Sequence, residues 1–154
     1  MRKFGGVLLS AAMVLSVGLL AAPAGAAAGP GCAALTSKAV LKTTVITLSK
    51  CTPAAATGGS GGGTFTSSTS KSGTLNVTIT WAAGHGTTKG TIKFGVAKGL
   101  GKCGKGTTTR FAIAGSVTGG TGTAVKTIKA GQKVAASVCS GKSLTLEPGT
   151  SLTL

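Results

Sequence analysis

The chain has 154 residues, 16 of them Lys or Arg against a single acidic residue, for a formal net charge of +15. With Glu147 as its one carboxylate side chain and no aspartate, it lacks the carboxylate pair of a glycosidase, the acid of a Ser-His-Asp triad and the oxygen ligands of a magnesium site. Four cysteines without a C-x-x-C spacing, together with one histidine, speak against zinc or dithiol redox chemistry and for two disulfides in an oxidising compartment.

The N-terminus reads as an export signal. Met1-Arg2-Lys3 supplies positive charge, residues 7–20 form an apolar run, and small residues up to Ala26 include an A-x-A relation between Ala24 and Ala26. This predicts a secretory signal peptide over 1–28, cleaved after Ala26 or Ala28, and one domain over 29–154. The apolar run is shorter than the ~20 residues that span a bilayer, so no transmembrane segment is expected after processing. The expected location is extracellular or cell-wall associated.

The remaining part keeps 13 lysines and one arginine, Arg110, and its aromatics are Trp81, Phe65, Phe94 and Phe111. Specific nucleic-acid readers rely on arginine forks and stacking platforms, so that partner is not expected. Dispersed lysine fits weak, salt-dependent attraction to anionic polymer or lipid headgroups. It also fits the plainer task of solubilising the surface and guarding sheet edges.

In chain order, residues 38–48 are β-branched and apolar and predict one strand. Pro53 and the glycine run 58–63 predict a break and a flexible connector, followed by a short strand at 64–66. The clearest signal is a hairpin, 73–81 and 87–94, joined by 82–86. Leu75, Val77, Ile79 and Trp81 share one face at period 2, and Ile92 and Phe94 are in phase on the return. His85 falls at its tip. Gly99, Gly101 and Gly104 satisfy G-x-G-x-x-G, and residues 99–105 satisfy G-x-x-x-x-G-K. A strand-like run follows instead of a helix, and no Ser or Thr follows Lys105 directly, so neither nucleotide motif holds. Further strands are expected over 110–118, 132–139, 142–146 and 151–154, with a helical turn at 124–129 that turns Val125 and Ile128 inward. About eight short strands at spacings near ten residues predict an all-β fold, an antiparallel β-sandwich, immunoglobulin-like or related. Of the three disulfide connectivities, Cys32 with Cys51 and Cys103 with Cys139 is favoured because it closes the shorter loops.

The Ala-rich leader, Cys51-Thr-Pro53 followed by the phrase 56–61, Ile79-Thr-Trp81 and the phrase 146–150 resemble small exported actinobacterial β-rich proteins of uncharacterised function. The resemblance implies size and compartment and carries no site. The reading is therefore a non-catalytic protein without cofactor or metal that binds anionic envelope polymer or lipid weakly, through Lys89, Lys93, Lys98, Lys102, Lys105 and Arg110. The alternative is a secreted protease inhibitor or antagonist that presents the 98–105 loop.

Overall fold

The computed structural model describes residues 29–66, 71–99, 101–103 and 109–154. The expected leader over 1–28 lies outside the described residues, as does Lys105. Among the described residues the chain forms nine strands: β1 (Gly31–Val40), β2 (Thr43–Thr52), β3 (Ser60–Thr66), β4 (Ser72–Trp81), β5 (Thr87–Val96), β6 (Thr109–Thr121), β7 (Lys133–Ser140), β8 (Leu144–Leu146) and β9 (Leu152–Thr153).

Each strand from β1 to β7 pairs antiparallel with the next. The ring then closes: Thr36 of β1 lies opposite Thr145 of β8, and Gly31 and Cys32 lie opposite Thr153 and Leu152 of β9. β9 also meets β7, at Ala135 and Thr153, so β8 and β9 share the eighth position around the ring. The fold is thus an eight-strand antiparallel barrel, and the β-sandwich expected from the sequence is incorrect. In-out alternation is common to sandwiches and barrels. What separates them is whether the first strand pairs with the last, a contact across more than a hundred residues that no local pattern encodes.

Other expectations change as well. The stretch 38–48 is not one strand, because the chain reverses at Leu41 and Lys42, with Val40 opposite Thr43. No Gly or Asn marks that turn, which is why the pattern reads straight through it. The glycine run is not a loose connector either, since Gly61, Gly62 and Gly63 lie in β3. A Cβ on Gly61 would lie 2.5 Å from Cε3 of Trp81. Glycine is what lets the indole lie flat on the neighbouring backbone.

Alternation fills the barrel. Leu35, Ile46, Leu48, Ile79, Val117 and Val134 are buried in one core with Trp81, while Thr36, Thr47, Thr78, Thr80, Lys89 and Lys93 are exposed. This is the reverse of a membrane-spanning barrel, which turns its apolar band outward. Among the described residues no helix is long and apolar enough to cross a membrane.

One end of the barrel is plugged. The short helix α1 (Ala54–Thr57) and the 3₁₀ turn Gly122–Lys126 contact each other there, and Ala56, Ala124 and Ile128 are buried beneath them. Ala124, not Val125, joins Ile128 on the inward side, and Val125 is exposed. The Ala124 N–H donates to the His85 carbonyl at 3.0 Å, which holds this turn so close that only a methyl fits inward. Cys32 is bonded to Cys51 at the same end, joining the start of β1 to the end of β2.

Candidate functional site: an apolar cup with a lysine-bearing mouth

The barrel is incompletely filled. A cavity of about 220 Å³ runs along its axis, lined by aliphatic and aromatic side chains from every part of the ring, with Thr88 and Ser140 the polar residues among them. Its floor is the plugged end. There the Trp81 indole N–H donates to Thr88 Oγ1 at 2.8 Å, which satisfies both groups and leaves the floor apolar in effect.

Exposure rises from floor to mouth. Leu48, Trp81, Ile79 and Val117 are buried. Further along the axis Val77, Ile92, Leu75, Phe94, Phe111 and Leu144 line the same cavity but are only half-buried. At the mouth Phe94 and Phe111 meet edge to face, with ring centroids 6.2 Å apart. Among the described residues, inward-pointing aromatics that keep exposed surface mark an opening, because closure would have buried them. Eight-strand barrels of this kind either fill with side chains or hold one small ligand. The space here exceeds the roughly 150 Å³ that holds a benzene in an engineered cavity.

The four connections at the mouth each carry an exposed lysine: Lys42 between β1 and β2, Lys71 before β4, Lys98 after β5 and Lys142 between β7 and β8. Lysine is also present at the plugged end, at Lys50, Lys126, Lys129 and Lys133, so charge alone does not single out the mouth. The coincidence of charge with an apolar opening does.

The candidate contact residues do not form one patch. Lys89 and Lys93 are exposed on the outer wall of β5, and Lys98 stands at the mouth. Lys102 lies in the connection that folds back over β6 and β7, where Cys103 is bonded to Cys139. Arg110 is already engaged. Its Nε donates to Glu147 Oε2 at 2.8 Å and to Ser137 Oγ at 3.1 Å, and Nη1 donates to the Lys98 carbonyl at 3.4 Å. Lys42, Lys71 and Lys142 were not among the candidates, because nothing local says which turns share an end of the barrel.

Glu147 is the anchor of this outer-wall network. Although polar, it is only 5% exposed. The Lys102 backbone N–H reaches Oε1 at 2.7 Å, and the Ser137 hydroxyl reaches Oε2 at 2.5 Å beside Arg110. These donors, the Lys102 N–H foremost, then Ser137 and Arg110, hold its carboxyl at about 2, below its ordinary 4.5 and against the opposing effect of burial. An ionised carboxylate held by three donors, from Lys102, Ser137 and Arg110, acts as a structural clasp between the connection after β5 and strands β6 and β7. His85 is half-buried, with Nδ1 2.9 Å from Thr123 Oγ1. Among the described residues no three His, Cys, Asp or Glu side chains cluster as metal ligands would.

Comparison with known proteins adds no relative: no family model matches the chain, and no curated protein or solved structure is significantly similar to it.

Proposed function

We propose that this is a non-catalytic, exported binding protein for an anionic amphiphile with a single alkyl chain, a free fatty acid or lysolipid in chemical class. The observation that carries the reading is the apolar, open-mouthed cavity of about 220 Å³ beneath a ring of mouth lysines. The chain would lie along the barrel axis and its head would remain at the rim. Of the two anionic partners expected from composition, lipid suits an apolar cup, whereas a hydrated polymer gains nothing from it. The two disulfides and the leader-like N-terminus support export. The alternative of an inhibitory loop rests on 98–105, of which residues 100, 104 and 105 lie outside the described residues, and no feature of the described ones favours it.

Isothermal titration with decanoate, decanol and decyltrimethylammonium, all below their aggregation thresholds, tests the reading. Decanoate is expected to bind most tightly and the cationic ligand least, with the difference shrinking as salt rises. Equal binding of all three would remove the lysines from the account, and binding of none would refute the cup.

A further inference from the structure

The β1–β2 hairpin ends at the barrel's open end in the two-residue connection Leu41-Lys42. Leu41 is 98% exposed and has φ of +54°. Both features are unfavourable for folding. The left-handed region is disfavoured for a side chain with a Cβ and suits Gly or Asn in a tight hairpin, and a leucine that buries nothing adds nothing to the core. A residue kept at two costs to the fold points to a role outside it. Its neighbours extend the same surface. Val40 and Val45 are outward-facing and exposed, and with Leu41, Lys42 and Thr43 they border one shallow depression. Lys38 and Lys42 flank the apolar tip, and the chain's one carboxylate side chain is bound to Arg110 and offers them no competing partner.

We infer that this tip is a docking point for an anionic bilayer surface. Leu41 enters the interfacial region with Val40 and Val45 behind it, while Lys38 and Lys42 remain at headgroup level, the division of labour typical of interfacial anchors. Charge complementarity selects the occupant: a protein of this net charge repels a second copy of itself and is drawn to an anionic surface. Because the tip belongs to the open end, docking turns the cup's mouth toward the membrane that supplies single-chain amphiphiles. That purpose rests on the proposed ligand class; the docking itself does not.

The test is co-sedimentation of the full mature chain with vesicles of phosphatidylglycerol and phosphatidylcholine, compared with phosphatidylcholine alone. Wild type is expected to partition onto the anionic vesicles. Leu41→Gly, which suits the turn's backbone, should weaken partitioning about tenfold or more without lowering thermal stability. Replacing Lys38 and Lys42 together by Gln should weaken it by on the order of tenfold and flatten its salt dependence. In Leu41→Trp, fluorescence of the new indole should shift to the blue when anionic vesicles are added. Unchanged partitioning of Leu41→Gly, or an unshifted indole, would overturn the inference. So would a wild-type dimer that Leu41→Gly dissociates with no change on vesicles, since that would assign the tip to a second copy. Docking that survives while decanoate fails to bind would refute the cup and leave the tip standing; the converse would refute the tip alone.

Discussion

Lengthening an alkyl carboxylate one methylene at a time probes the cup directly, because the cavity has a definite size. At about 30 Å³ for a water-sized group, 220 Å³ accommodates about seven methylenes. Each buried methylene contributes about 0.8 kcal/mol, close to a fourfold gain in affinity per carbon and about 6 kcal/mol for a full cup. One or two charge-assisted contacts at the rim add about 1.5–3 kcal/mol each. Association costs at least about 4 kcal/mol, so a well-fitted ligand binds at tightest between about 3 mM and 1 μM, depending on the rim contacts it makes. Titration of a homologous series from butanoate to tetradecanoate should show a steep rise that levels off once about seven carbons are inside. Val77→Phe supplies the control. Val77 faces the cavity opposite Gly90 on β5, so a phenyl ring enters space that no cross-strand side chain occupies. That variant should fold at least as stably and lose most of the chain-length dependence. Affinity independent of chain length, or an unaltered series in Val77→Phe, would refute the assignment of the ligand to the barrel interior.

Three further outcomes follow from named contacts. Glu147 is ionised far below its usual range, so the unfolded chain takes up the proton first as pH falls. The stability it contributes is fully present above about 4.5 and is lost between there and about 2. Acid titration of unfolding by circular dichroism should show that loss in wild type, and Glu147→Gln should lower the melting temperature at neutral pH and remove most of the slope in that window. Gly61→Ala places a methyl group 2.5 Å from Cε3 and 2.8 Å from Cζ3 of Trp81. It should cost about 1–3 kcal/mol in urea unfolding, as overpacking does, with a change in the emission of the buried indole. Leu41→Gly relieves a left-handed leucine and should raise stability by about 1 kcal/mol; a fall would mean that Leu41 packs against the fold after all.

Local pattern carried the hairpin well. Leu75, Val77, Ile79 and Trp81 alternate without interruption, and the structure pairs β4 with β5 from Ser72 to Thr80 and turns those four side chains inward. Pattern failed wherever a contact distant in sequence decides the outcome. The glycine run reads as a flexible connector until Trp81, far along the chain, is seen to lie against the bare backbone of Gly61. The turn at Leu41 breaks the rule that tight hairpins use Gly or Asn, so it cannot be found by that rule. Ring closure depends on β1 meeting β8 and β9, and the cup is hidden with it: Phe94 reads as part of a strand's core face, and only the closed geometry leaves a space between it, Phe65 and Phe111. The mouth lysines were equally invisible, because Lys42, Lys71 and Lys142 belong together only once their turns share an end.

The most direct measurement is a set of nuclear Overhauser contacts between an unlabelled alkyl carboxylate and uniformly labelled mature protein. Contacts are expected from the alkyl methylenes to Ile92, Ile79 and the ring protons of Phe94 and Phe111, with the carboxylate end shifting Lys42, Lys71 or Lys142. Contacts confined to outward-facing residues such as Lys89 or Thr78, or none at saturating ligand, would contradict that placement.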